Sequence, residues 1–175
     1  MNTEQGFAVW ITGLPASGKS SICRELVVLL KRRGIVPAVL ESDSLRSILT
    51  PEPSYDQAER DRFYLQMAEI GALLARQGIP VIFDATANRR AYRDHARARI
   101  SPFVEVFVDC ALETCRDRDP KGIYTAAAKG TASNVPGLQA VYEPPPAPEI
   151  IVDGSEPPSV SAKRVFAHLK DLRCI

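Results

Sequence analysis

VWITGLPASGKSSICREL, residues 9–26, sets an apolar run against a loop bounded by Gly13 and Gly18, with Lys19, Ser20 and Ser21 directly after it. Within the stretch, GLPASGKS (Gly13 to Ser20) satisfies the pattern GxxxxGK[ST] in full. The surroundings are those the pattern requires. Phe7 to Thr12 is a short continuous apolar run that reads as a strand, and Lys19 to Arg33 carries Ile22, Leu26, Leu29 and Leu30 at helical spacing before Gly34 stops it. In such a strand–loop–helix unit the glycines let backbone N–H groups turn inward around an anion, and the helix adds its positive end. Lys19 reaches the outer phosphates and Ser20 ligates Mg²⁺. The loop therefore predicts a nucleoside triphosphate site, formed by Gly13, Leu14, Pro15, Ala16, Ser17, Gly18, Lys19, Ser20 and Ser21.

Working outward, strands and helices alternate. Val36 to Glu41 reads as a second strand and Tyr55 to Gln77 as a long helix ended by Gly78. Pro80 to Phe83 gives a third strand, Arg89 to Arg99 a polar helix rich in arginine, and Phe103 to Val108 a fourth strand. Leu112 to Arg118 is a short helix, Glu149 to Val152 a fifth strand and Val160 to Leu172 a closing helix. Alternation with strands apolar on both faces predicts an α/β fold of three layers, a mostly parallel five-stranded sheet covered by helices on both faces. This is the phosphate-loop hydrolase and kinase fold, with residues 1–175 as one domain. Ligands in such sheets sit at the carboxyl ends of the strands, so the loops starting at Gly13, Ser42, Asp84 and Asp109 are expected to border one cleft. Residues 119–148 break the alternation, and a segment of this length inside a compact domain reads as a lid.

The bulk composition narrows the partners. A net charge of +1 gives no general reason to expect nucleic acid or an anionic membrane, and no run approaches the roughly 20 apolar residues of a membrane span. Cys23, Cys110, Cys115 and Cys174 form no CxxC pair and have only His95 and His168 to join them, so a zinc site is not expected. Reduced, mostly buried thiols fit the cytoplasm, where we expect the protein to work. His95 reads as a surface residue.

GTPase switches, ATPase motors and small-molecule kinases share the phosphate loop. The chain has no Asn-Lys-x-Asp guanine reader and no room for the extra domains of a motor, which leaves a small-molecule or nucleotide kinase with an acceptor pocket and a lid. LESDSLR, Leu40 to Arg46, places Asp43 and Arg46 one turn apart beside the loop. Asp43 can hold Mg²⁺ or accept the acceptor's proton, and Arg46 can grip an anionic substrate. The structural alternative is a helix start that Ser42 or Asp43 caps. RDPKGIY, Arg118 to Tyr124, opens the lid with Lys121 on a turn.

Together these segments resemble the adenylylsulfate kinase family, whose members phosphorylate the 3′-hydroxyl of adenosine 5′-phosphosulfate. The family's GLSGAGKST is similar to GLPASGKSS here, and its LDGDNxR to LESDSLR. Its RDPKGLY, followed by NFTGIDxPYExPxxPE, is similar to RDPKGIY followed by NVPGLQAVYEPPPAPE; the likeness covers residues 7–153. The resemblance implies that Lys19 and Ser20 handle the phosphates and Mg²⁺ of ATP, that Asp43 is a metal-linked carboxylate and base, and that Arg118 belongs to the nucleotide side. It implies that Arg46 and Arg60 hold the adenylylsulfate anion, that Tyr55 takes the place of a phenylalanine stacking on its adenine, and that Lys121 carries the lid's charge to the reacting phosphates. It also implies a nucleotide as the small-molecule acceptor and a homodimer as one assembly.

Glu41 replaces the first carboxylate of the family's DGD, and nearly every other departure falls on the acceptor side. The family's DRxxN becomes Glu59, Arg60 and Phe63, an apolar ring in place of an amide that contacts the acceptor. FISPxR becomes Ala85, Thr86, Ala87, Asn88, Arg89, Arg90, with Thr86 and Ala87 at the pocket, and the lid's aromatic becomes Val135. FDATANRR, Phe83 to Arg90, is also similar to strand ends in phosphate-loop kinases acting on polynucleotide ends, sugars or antibiotics. Alternatives to adenylylsulfate are therefore another nucleotide, a sugar or a polynucleotide end, or a nucleotide-binding module without catalysis. Asp84 reads either as a metal or hydroxyl ligand or as the cap of the following helix. Arginines 89, 90, 93, 97 and 99 read as a mainly solvated face.

Overall fold

The computed structural model describes residues 5–175. The apolar run before the phosphate loop becomes β1 (Ala8–Thr12), with every residue buried, and β3 (Val81–Asp84) and β4 (Phe103–Asp109) flank it in parallel. With β2 (Ala38–Glu41) and β5 (Ile150–Asp153) at the edges, the five-stranded sheet runs β2-β3-β1-β4-β5 and is parallel throughout. Side chains alternate across a strand, so β1 feeds both faces. Val9 and Ile11 pack with Ile22, Leu26 and Leu30 of α1 (Lys19–Lys31) and Val165 and Leu169 of the last helix (Pro158–Asp171). Ala8 and Trp10 pack on the other side with Phe63 and Met67 of the long helix (Gln57–Arg76) and Tyr92 of the arginine-rich one (Arg90–Arg97). Trp10 stacks on Phe83 at 4.4 Å and donates its indole N–H to the Ala85 carbonyl. A side chain at Gly71 would lie 2.2 Å from the Phe83 ring, so this glycine lets the long helix settle against the sheet.

In chain order the helices are α1, α2 (Ser42–Leu49), α3 (Gln57–Arg76), α4 (Arg90–Arg97), α5 (Leu112–Arg118), α6 (Ile123–Ala128) and α7 (Pro158–Asp171). Two were absent from the sequence expectation as elements. Helix α2 is a short helix whose first turn is capped by the Glu41 carboxylate, which accepts from Ser44 N–H at 3.1 Å; neither Ser42 nor Asp43 is the cap. Helix α6 lies inside the lid segment, after a left-handed Gly122.

The solvated-face reading of the arginine-rich helix holds for Arg89, Arg90 and Arg99 and fails for its middle. Arg93 is 1% exposed: its Nε donates to Glu105 at 2.6 Å, and its terminal nitrogens donate to the carbonyls of Ala87 and Glu143. Arg97 pairs with both Glu149 and Glu105, and Glu149 accepts the Glu105 N–H at 2.7 Å. Arg93, through the Glu143 carbonyl, and the half-buried Arg97, through the exposed Glu149, thus tie residues 143 and 149 to the sheet; of the two ion pairs only Arg93–Glu105 is buried, and removing one partner of such a pair typically costs about 3–5 kcal/mol. Asn88 joins the strap, donating its amide to the Val141 carbonyl and accepting from Glu143 N–H.

Candidate active site

All strand ends point their carboxyl termini to one edge, with Glu41, Asp84 and Ile11 in register across β2, β3 and β1. The phosphate loop leaves this edge from β1. Gly18 adopts φ 104°, a conformation that favours glycine, and α1 starts beyond it without a side-chain cap, leaving its first N–H groups to the loop. Ser17 is fully buried, and among the described residues its hydroxyl has no hydrogen-bond partner. A Cβ on Gly13 would meet that hydroxyl at 2.8 Å and the Val108 carbonyl at 2.7 Å, so the loop is shaped for bare backbone. An orphaned hydroxyl and uncapped amides in a tight loop are donors suited to phosphate oxygens.

Lys19 is 8% exposed and donates its ammonium to the carbonyls of Gly13 (3.1 Å) and Leu14 (2.7 Å). Burial pulls its pKa down to about 8, and the nearby Asp84 carboxylate opposes that pull. Asp84 is itself buried, which raises its pKa, while a hydrogen bond from Ser20 works the other way. Helix α4 has Arg89 at its cap position, so the capping alternative for Asp84 is excluded and the carboxylate belongs to the phosphate loop. Arg118 lies at the loop's flank, donating to the Gly154 carbonyl at 2.8 Å; Gly154 in turn packs closely on the Ser17 carbonyl. Ser21 is held by Arg24 one turn on.

Residues 119–148 pack onto this loop. Tyr124 of α6 donates its hydroxyl to the Pro15 carbonyl at 3.0 Å. Lys121 forms an ion pair with Asp43, 78 residues earlier, and lies 3.8 Å from Glu41; the Asp43 carboxylate is the main reason its pKa is raised. Lys19, Asp84, Asp43 and Lys121 thus share one electrostatic neighbourhood.

On the acceptor side, Arg46 and Glu59 form a buried ion pair. The Arg46 guanidinium lies 3.9 Å over the Phe63 ring and 5.3 Å from that of Tyr55, and Tyr55 N–H donates to the other Glu59 oxygen at 2.7 Å. Arg60 donates to the Asn134 carbonyl in the lid at 2.6 Å, while the Asn134 amide donates to the Tyr55 carbonyl at 3.2 Å. The β3–α4 loop is tied next to the strand end: Thr12 donates to the Thr86 carbonyl at 2.7 Å, and the Tyr64 hydroxyl accepts from the N–H of the buried Ala87.

Arg46, Tyr55, Arg60 and Phe63 therefore come together through Glu59 and Asn134, and Asp43, one helix turn before Arg46, pairs with Lys121 and is near enough to Lys19 to act on its charge. Phe63, 1% exposed, touches Arg46 rather than an open cleft, and Val135 packs with Cys115 and Tyr124 inside the lid. A cavity of about 450 Å³ between Leu14, the end of β4 and residues 137–144 shares only Leu14 with the expected site residues. Sequence reasoning missed Glu59 as the partner of Arg46, and Asn134 as the bridge from lid to acceptor side. An acidic residue one helix turn before Phe63 and an asparagine preceding a Val-Pro-Gly turn were the available signals.

The ligand-binding potential for a hard cation is of one kind. Ser20, Asp43 and Asp84 offer a hydroxyl and carboxylates, and no three His, Cys, Asp or Glu side chains gather into a cage among the described residues. Such a donor set fits Mg²⁺, which keeps most of its shell as water and phosphate oxygen.

Residues 5–153 match the family model described as adenylylsulphate kinase. The adenylyl-sulfate kinase of Citrobacter koseri is 37% identical over 158 residues, covering 89% of this chain and 79% of that protein. The Sorangium cellulosum protein named "Probable bifunctional SAT/APS kinase 2" is 35% identical over 95% of this chain, which spans 29% of that longer protein. Among solved structures, the Mycobacterium tuberculosis APS kinase CysC in complex with AMPPNP and APS superimposes with a TM-score of 0.89 at 32% identity, covering 95% of this chain and 98% of that one.

Proposed function

The chain belongs to the adenylylsulphate kinase family, and from that premise we propose that it transfers the γ-phosphate of ATP to the 3′-hydroxyl of adenosine 5′-phosphosulfate. The observation that carries the reading is the Lys121–Asp43 pair, which brings the lid's cation onto the carboxylate between the phosphate loop and Arg46. The phosphate loop, with the Ser17 hydroxyl and the amides at the start of α1, cradles the β- and γ-phosphates, and Lys19 and Lys121 place positive charge against them. Arg118 borders the nucleotide. Mg²⁺, held by Ser20 and Asp43, would neutralise phosphate charge as it shifts toward the leaving oxygen.

In the transfer, the acceptor's 3′-oxygen forms a bond to the γ-phosphorus, the bond from that phosphorus to the bridging oxygen of ADP breaks, and the hydroxyl proton passes to Asp43. Arg46 and Arg60 hold the phosphosulfate anion, Tyr55 offers its ring to the adenine, and Thr86 forms the wall beside it, while Ala87 is buried and offers no surface. The lid, seated through Tyr124 on Pro15 and through Asn134 on Tyr55, keeps water from the γ-phosphate. Free thiols at all four cysteines agree with work in the reducing cytoplasm.

A panel of acceptors tests the reading by ADP release: adenylylsulfate, nucleoside monophosphates, sugars and polynucleotide 5′-hydroxyls. Turnover is expected to depend on adenylylsulfate. A rate equal with and without it, or a higher rate with another acceptor, overturns the assignment.

A further inference from the structure

The Phe63 ring is the clearest place where this chain parts from its relatives' pattern and where the structure supplies a reason. Where the family pattern has an amide, this chain has a buried ring that lies under the Arg46 charge. Arg46 is fixed from three directions. Phe63 lies 3.9 Å beneath the guanidinium, the Tyr55 ring 5.3 Å away, and Glu59 accepts a hydrogen bond from one terminal nitrogen. Glu59 is held in turn by Tyr55 N–H, and its own N–H is tied to Asp56, the residue that caps α3. The pair is buried, and the ring beneath it is almost fully so.

We propose that Phe63 is a positioning residue that fixes Arg46 for the anionic group of the acceptor, replacing a direct contact with an indirect one. The inference rests on the proposed acceptor. A guanidinium is planar with its donors around the edge. A ring against its face leaves those donors unobstructed while restricting rotation about the side chain, and the attraction of ring for cation strengthens where water is excluded. Glu59 uses one side of the fork and the remaining N–H groups stay available to oxyanions. Less rotational freedom is then lost when the acceptor binds, the usual benefit of a pre-organised site. Specificity on this side thus moves from an amide reading the acceptor to a charge held in one orientation.

The test is a titration of adenosine 5′-phosphosulfate into the wild type, Phe63→Leu, Phe63→Met and Phe63→Tyr, alone and combined with Arg46→Ala. Leucine and methionine fill the space without a ring, so a variant that fails to fold leaves the other to be read; tyrosine keeps the ring. Acceptor affinity is expected to fall about tenfold without the ring and to stay near wild type in Phe63→Tyr, with the KM for ATP unmoved. In the Arg46→Ala background, removing the ring is expected to change acceptor affinity no further. Unaltered affinity without the ring, or the same tenfold loss in the Arg46→Ala background, overturns the role.

Should the wild type itself fail to bind adenylylsulfate, the acceptor assignment falls and the Phe63 role is decided by nuclear magnetic resonance of the Arg46 guanidinium. A slowly exchanging Arg46 Nε–H signal that broadens or vanishes in Phe63→Leu supports the stack; a signal unchanged by the substitution overturns it.

Discussion

The phosphate side and the acceptor side of this cleft are built from different materials. The phosphate loop is backbone: Gly13, where a Cβ would collide with Ser17 and Val108, Gly18 at a positive φ, uncapped amides at the start of α1, and a single lysine folded onto the loop's own carbonyls. The acceptor side is a set of side-chain ties, Arg46 to Glu59, Arg60 to Asn134, and Asn134 to Tyr55. A loop whose backbone binds the ligand tolerates little change in its sequence pattern. Side-chain ties can be exchanged one at a time, and the departures from the family's pattern are concentrated there.

Substitutions separate the two sides by which ligand they affect. The largest loss is expected where the sides meet: Asp43→Asn should lower turnover by about 10³–10⁴-fold with ATP affinity held within about tenfold, as for a group acting mainly in the transition state. Single-turnover rates beside ATP titrations check it, and wild-type turnover would remove Asp43 from the chemistry. Next, Lys19→Met should cost about 10²–10³-fold in turnover and weaken ATP as well, since the lysine stands against the phosphates in ground and transition states. An acceptor defect with intact ATP binding would break the division between the sides.

Arg46→Ala comes third. It should raise the acceptor's KM about 10–100-fold, the range for a lost charge-assisted hydrogen bond, and leave the KM for ATP in place. Steady-state kinetics with each substrate varied in turn decide this, and an equal rise for both would show the sides to be coupled. The smallest effect is expected for Asn134→Ala, which unties the lid from Tyr55. A few-fold rise in acceptor-independent ATP hydrolysis should follow as water gains access, because one neutral hydrogen bond contributes only about 1 kcal/mol. Hydrolysis measured without acceptor would sharpen the lid's role, or refute it if the rate stays at the wild-type level.

The legibility of the sequence follows the same division. Apolar runs and helical spacing carried the order of strands and helices because burial on both faces of a parallel sheet leaves a local trace, as in Ala8–Thr12. The loop GLPASGKS was legible for the same reason: backbone function demands fixed residue types at fixed spacing. Helix α2 was not, although Leu45 and Leu49 stand one turn apart and pack on the core, because eight residues carry too few turns to tell a helix from a loop. The buried Arg93 is indistinguishable in sequence from its solvated neighbours, since its partner Glu105 and the Glu143 carbonyl are brought to it only by the folded sheet. Val135 shows the same limit: its place in the chain matches the family's lid aromatic, yet its side chain packs inward against Cys115 and Tyr124. Contacts made across long stretches of chain leave no mark at either end.

The central claim is that phosphate passes from ATP to the 3′-hydroxyl of adenylylsulfate. A single turnover with ATP labelled at the γ-phosphate, followed by chromatographic identification of the labelled product, tests it directly. The account predicts the label on the 3′-position of adenosine 5′-phosphosulfate in equal amount to the ADP formed; label found only in inorganic phosphate would contradict it.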